Sequence, residues 1–191
     1  MPLTIAGSGT ITGLAVGGLP DGTVDADTLA AGTAAKWTTV AGSASGRSVE
    51  WTGLPAGIKH MNVSYWQADV SSGSHLLIQL GYGSTTWDDT DIDSISWWGY
   101  TANQEWNHYT KFRLNNGHDN SARDNYGVIT CTHSNSNKWH VRSTQHQKAE
   151  ADSIQGMYGI QELGGELTAV RIYCENDVTF DSGTFSLNYL V

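Results

Sequence analysis

The last 25 residues, LTAVRIYCENDVTFDSGTFSLNYLV, keep a period of two that leaves little choice of secondary structure. Val170, Ile172 and Cys174 alternate with Arg171 and Tyr173, and Phe185, Leu187, Tyr189 and Val191 alternate with Ser186 and Asn188. Successive Cβ atoms of a strand point to opposite faces, so each set occupies one face. Asn176-Asp177 and Asp181-Ser182-Gly183 interrupt the pattern with residues that tolerate turn geometry. Two strands are expected, with Val178, Thr179 and Phe180 as an extended piece between them. The sequence stops inside the second strand without a polar tail, which predicts a packed C-terminus.

The rest of the composition agrees with strands. Charged residues are 15% of the chain, while Gly (22) and Trp (8) are abundant, which suits many turns and half-buried pleated surfaces and not a helical bundle. A net charge of −9, with no Lys/Arg cluster, excludes binding to nucleic acid phosphates or to anionic membranes. No apolar run is long enough to span a bilayer, and residues 1–20 lack the basic and apolar regions of a Sec-type signal. Without an export signal, Cys131 and Cys174 are expected to be reduced, buried thiols, a disulfide between neighbouring strands being the alternative.

Residues 1–36 differ in kind from residues 37–191. They hold no aromatic residue before Trp37, and their apolar residues are sparse: Ile5, Ile11, Leu14, Val16, Leu19, Val24 and Leu29. Such a segment cannot offset roughly 1–2 kcal/mol of backbone ordering per residue by itself. It reads as a short extended arm that packs on a partner, with Ile11, Leu14, Val16, Leu19, Pro20, Val24 and Leu29 as the assembly residues. Leu19-Pro20-Asp21-Gly22 is a turn. Asp25 or Asp27 can cap a short helix through Thr28, Leu29 and Ala30, too short to stand alone unless three copies bury Leu29 around one axis.

From Trp37 onward strand follows strand. The pattern marks Lys36–Val40, Ser48–Trp51, Met61–Tyr65, Leu76–Tyr82, Tyr109–Leu114, Tyr126–His133, Lys138–Gln145 and Ile154–Ile160, before the two closing strands. Leu76–Tyr82 is apolar on both faces and belongs at the centre of a sheet. Ser134–Asn137 joins the clearest hairpin, and residues 83–108 read as a long irregular connection. Roughly nine or ten strands at this turn spacing predict an all-β domain over 37–191, an antiparallel, jelly-roll-like β-sandwich. The Cys…Trp…Cys spacing of immunoglobulin domains is absent.

Candidate chemistry is confined to the segment after Leu76–Tyr82. Trp87, Trp97, Trp98, Tyr100 and Trp106, mixed with Asn and Asp, have the composition of a sugar-binding groove, where rings stack on pyranose faces. The same rings also suit a core or a subunit interface. Asp88, Asp89, Asp91 and Asp93 could offer oxygen ligands to Ca²⁺, but the Gly and Glu of an EF-hand loop are missing, and a solvated acidic loop is the simpler expectation. His133, His140 and His146 lack zinc spacing and read as strand-surface residues. Gly42–Gly46 is G-S-A-S-G, with Ala where a nucleophile elbow needs Ser. No cofactor motif or phosphate-cradling loop is present, and the expectation is a non-enzyme that uses no cofactor and no metal.

The opening GTITGLAVGGLPDGTVDADTLA resembles the N-terminal segment of many tailed-bacteriophage tail-fibre and virion structural proteins. The turn and strand LPAGIKHMNVSYWQADV, the hairpin YGVITCTHSNSNKWHVRS and the ending LGGELTAVRIYCENDVTFDSGTFSLNYLV are similar to the C-terminal β-domain of that group. The resemblance covers residues 1–30, 49–82 and 126–191, while 83–125 departs from it in being richer in Trp and Asp. It implies a homotrimeric virion component that docks on other virion proteins through residues 1–36 and displays a β-sandwich toward host-surface glycan. A capsid decoration protein, of the head-fibre or cement kind, is the alternative, and a free carbohydrate-binding module, which would not need the arm, is a third.

Overall fold

Alternation of apolar and polar residues in the sequence becomes alternation of buried and exposed ones in space. In the strand Lys138–Lys148, Trp139, Val141, Ser143, Gln145 and Gln147 are buried and nearly all their neighbours are exposed. The computed structural model describes residues 37–44, 46–84, 86–100, 103–115, 124–148 and 153–191, with the backbone alone for 43, 98–100 and 103–109. Among the described residues there are thirteen strands and no helix. They are β1 (Trp37–Ser43), β2 (Ser48–Thr52), β3 (His60–Val70), β4 (Leu76–Tyr82), β5 (Thr86–Trp87), β6 (Ile92–Tyr100) and β7 (Asn103–Tyr109). The remainder are β8 (Phe112–Arg113), β9 (Asp124–His133), β10 (Lys138–Lys148), β11 (Ser153–Glu162), β12 (Leu167–Cys174) and β13 (Phe180–Leu190).

The strands form two antiparallel sheets packed face to face. One has the order β1-β13-β3-β9-β10-β11-β6-β7, the other β2-β12-β4-β5, with β8 also pairing with β4. The chain passes repeatedly between the sheets, at β1–β2, β3–β4 and β12–β13 among other places, and partners in one sheet lead into partners in the other. Thus β13 lies between β1 and β3 while β12 lies between β2 and β4. An antiparallel ribbon wound on itself in this way is a jelly-roll-like sandwich. Strands β10, β11, β6 and β7 extend the larger sheet beyond that unit. Met61, Val63, Ile129 and Leu187 from the larger sheet and Ile78, Leu80, Val170 and Ile172 from the smaller one belong to a single core cluster.

The ending behaves as its period predicts, with two exceptions. The first is that Asp181-Ser182-Gly183 is not a turn but an irregular stretch of β13, which starts at Phe180 and shifts register on both sides of Ser182. Val170, Ile172, Cys174, Phe185 and Leu187 are buried, Arg171 and Tyr173 only partly so. Asn176 and Asp177 both adopt φ of 58°, the conformation a primed turn requires. The expected packed C-terminus is corrected: Val191 is 56% exposed among the described residues, because strand pairing ends at Leu190. Leu76–Tyr82 is central and buried over six of its seven residues, as expected of a strand apolar on both faces.

The main correction concerns residues 83–108. They are not an irregular connection but hold β5 and the hairpin β6–β7, which forms one edge of the larger sheet. Lys36–Val40 is corrected at its far end, since β1 runs on through Gly42, where a side chain would strike Trp51. Tyr109–Leu114 is two strands, β7 ending at Tyr109 and β8 beginning at Phe112, although Phe112 and Leu114 do face inward. The arm, its helix and its assembly residues Ile11, Leu14, Val16, Leu19, Pro20, Val24 and Leu29 lie outside the described residues. No helix of the described residues is long and apolar enough to cross a membrane.

Cys131 on β9 and Cys174 on β12 lie in different sheets as free, buried thiols. Burial pushes both up, Cys174 to about 12, with Arg47 opposing and Asp181 adding to the shift at the second. Both therefore stay protonated and behave as small apolar residues.

Candidate binding site

The outer face of the larger sheet departs from regular pleating at one place. Along β3 the order buried–exposed–buried is broken at Tyr65-Trp66-Gln67-Ala68, where two exposed residues stand between two buried ones. Gln67 takes φ of 52°, a conformation uncommon for a residue of its kind. The register slips here on both sides of β3, between Tyr65 and Ala68 against β9 and between Ser182 and Thr184 against β13. Each slip is a bulge, which inserts residues into one strand and re-aims a side chain. The extra residue is Gln67, and it follows Trp66, which keeps the outward phase of Asn62 and Ser64 and is 62% exposed.

Local hydrogen bonds hold the distortion. The Ser182 hydroxyl donates to the Gln67 carbonyl at 3.2 Å, and the Asn125 amide donates to the Ala68 carbonyl at 3.0 Å. These groups take up acceptors that the broken ladder releases. Beneath the bulge, the Tyr65 hydroxyl donates to Gln145 Oε1, Gln145 donates to Gln155 Oε1 at 2.9 Å, and Gln147 donates to Asn125 Oδ1 at 3.3 Å. The Tyr65 ring stacks on Phe185, which meets Phe180 edge to face. Burial pushes the Tyr65 phenol far above its ordinary value, so it serves as a donor at every physiological pH.

Above this base, Trp66 and Tyr126 meet at 85° with centroids 4.8 Å apart, and Tyr126 stacks on His146 at 6.0 Å and 29°. The three rings cross β3, β9 and β10 in a row. Trp66 and Tyr126 form a corner of an open pocket of about 500 Å³, whose other lining includes Ser64, Val128, Thr184 and Ser186. The Tyr126 hydroxyl donates to Asp124 Oδ2 at 3.1 Å. Partial burial first, and then the Asp124 carboxylate, hold that phenol above its ordinary value. The pocket thus combines two ring planes with hydroxyls that both donate and accept, and one of its rings is bonded to a carboxylate. That is equipment for binding a polyhydroxylated molecule.

The residues singled out from sequence lie elsewhere, Trp87 on one sheet and Trp97, Trp98, Tyr100 and Trp106 on the other. Trp87 is on β5 of the smaller sheet, where the Arg171 guanidinium sits 4.5 Å from its ring and 4.6 Å from that of Tyr173. Trp97, Trp98 and Tyr100 are on β6 of the larger sheet, and Trp106 on β7 is the backbone partner of Trp97. Trp97 lies over Gly156, which leaves no room there for a Cβ.

The four aspartates also separate. Asp88 is buried, and its carboxylate accepts from the Thr90 amide at 3.0 Å, the Thr90 hydroxyl at 2.6 Å and the Gly164 amide at 3.1 Å. Asp89, Asp91 and Asp93 are exposed. Among the described residues no group of three or more His, Cys, Asp or Glu could hold a metal ion. Burial raises the Asp88 carboxyl, but the three donors outweigh it and hold the group below its ordinary value. A carboxyl depressed on folding contributes stability that is full above its unfolded value and lost as pH falls through its folded one. Asp88→Ala should therefore cost about 1–3 kcal/mol at neutral pH. The gap between wild type and variant should narrow below about pH 4. Urea unfolding of both proteins across that range measures it, and a gap independent of pH would refute the assignment.

The histidines stay apart. His133 is at the end of β9, where its Nε2 bonds the Ser136 carbonyl, His140 bonds the Tyr158 hydroxyl at 2.7 Å, and His146 belongs to the aromatic row. No protein-family model, curated protein or solved structure matches the chain.

Proposed function

We propose that this chain is a tailed-bacteriophage virion structural protein, a homotrimeric tail-fibre or adsorption protein. Residues 1–36 attach it to other virion proteins, and the β-sandwich makes contact with host-surface glycan through the corner at Trp66 and Tyr126. The observation that carries the reading is the paired bulge, because it breaks regular pairing directly after an exposed Trp that stands beside a Tyr over a hydroxyl-lined pocket. Strained or bulged backbone concentrates where a surface binds. The N-terminal resemblance supports the virion setting, and the jelly-roll-like sandwich suits a displayed, lectin-like domain.

A capsid decoration protein is the second reading. It is favoured by one observation, the outer row Ile154, Tyr158 and Ile160 on β11, which are 66%, 42% and 45% exposed and suit contact with another protein surface. Antibody against residues 37–191 on intact particles distinguishes the two by labelling tail or head. For the glycan contact, Trp66→Ala should weaken binding to host-surface polysaccharide roughly 10- to 100-fold, about 1.4–2.8 kcal/mol. Its unfolding free energy should stay within about 0.5 kcal/mol of wild type. Unchanged affinity would remove the corner from the reading.

A further inference from the structure

Resting on the glycan reading above, we infer that the corner takes uncharged pyranose chains and discriminates against chains carrying uronates. The argument is one of charge and donor type. Among the described residues no Lys, Arg or His lines the pocket, and beside the Trp66 indole and the Tyr126 hydroxyl its polar side chains include the hydroxyls of Ser64, Thr184 and Ser186. A hydroxyl offers one donor with two acceptor sites, which matches another hydroxyl. A carboxylate ligand instead needs donors without competing lone pairs, ideally the fork of an Arg.

The charged group bonded to the Tyr126 hydroxyl has the wrong sign for an acid. Tyr126 donates to Asp124 Oδ2, which fixes that carboxylate beside the ring on which a sugar would stack. Among the described residues, Lys148 is opposite Asp124 in the strand register and therefore beside that carboxylate, and it does not line the pocket. The chain as a whole is at −9, so the long-range field also opposes a polyanion. The remaining oxygen of Asp124 is an acceptor suited to a sugar hydroxyl.

Matched probes test this with the full-length protein. Gluco-, galacto- and manno-oligosaccharides are titrated beside the same chains oxidised at C6 to uronates, at low and at high salt. The expected result is that at least one neutral series binds and that its oxidised partner binds roughly tenfold or more weakly at low salt, with the difference shrinking as salt screens it. Trp66→Ala should weaken the neutral complex, and Asp124→Asn should narrow the difference within a pair. Equal or tighter binding of the oxidised chains, still abolished by Trp66→Ala, overturns this inference and leaves the glycan reading standing. If no series binds, the glycan reading falls and the inference with it.

Discussion

Replacing Phe112 by alanine lowers the stability of the β-sandwich by about 3–5 kcal/mol, the cost of truncating a fully enclosed Phe. Phe112 is 0% exposed although its strand, β8, has only two residues. Its backbone is opposite Ile78 of β4, and its ring reaches the larger sheet, where Cε1 lies 2.7 Å from the position a Cβ on Gly159 would occupy. One side chain therefore bridges both layers. The short strand is tied by other groups: the Leu114 amide donates to the Leu76 carbonyl at 2.8 Å, and the Leu76 amide donates to Asn115 Oδ1 at 2.6 Å. Those bonds hold the backbone, so the variant should keep its fold with a cavity and not collapse to fill it. Urea denaturation should give a lower midpoint with an unchanged slope. Against a typical total of about 5–15 kcal/mol, the loss is a large share. A cost near 1 kcal/mol would mean that the ring is not the wedge between sheets.

That Phe112 and Leu114 face inward follows from their spacing, and so do the closing strands, the Asn176-Asp177 turn and the central position of Leu76–Tyr82. Each rests on apolar residues at period two, a pattern that pleating converts directly into burial. The hairpin β6–β7 escapes the same reading for a physical reason. It forms the sheet edge with Ser94, Ser96, Asn103, Asn107 and Asp93 among its aromatics, so alternation of hydrophobicity is weak along it. Buried polar residues hide the pattern further: Gln145, Gln147, Gln155 and Gln161 are each 2% exposed and occupy inward positions that hydropathy assigns to solvent. Strand order is invisible for a different reason, since pairings such as Trp37 with Leu190 join the two ends of the domain and leave no local trace.

The candidate site was legible only in part. Aromatic and polar residues in mixture pointed to residues 83–108, where the content is densest, yet Trp87 belongs to the other sheet and Trp97 lies over Gly156. The corner at Trp66 and Tyr126 draws one residue from each of two strands about 60 positions apart, and composition windows do not join such residues. One signal was available. After Met61, Val63 and Tyr65 the inward set resumes at Ala68 and Val70, so the phase shifts by one residue at Trp66-Gln67, as a bulge requires.

Gly127 connects the core to that corner, and Gly127→Ala is expected to cost about 1–3 kcal/mol by overpacking. A Cβ there would stand 2.5 Å from the Tyr65 hydroxyl, 2.6 Å from Tyr65 Cζ and 2.9 Å from Gln145 Cβ. The ring cannot retreat cheaply, because Tyr65 is 3% exposed, stacks on Phe185 and holds Gln145 by its hydroxyl. Moving it would break that bond and leave buried amides short of a partner. Tyr65→Phe alone should cost about 1–3 kcal/mol for the same lost bond, and it removes the atom nearest the new methyl group. The two changes should therefore be less than additive together, with a coupling of at least about 0.5 kcal/mol. Gly127 follows Tyr126 directly, so the single variant should also weaken glycan binding, and Tyr65→Phe should restore part of it. Additive stabilities in the cycle would mean that the glycine is not required by the ring beneath it. Coupling in stability without any change in affinity would separate the core packing from the binding corner.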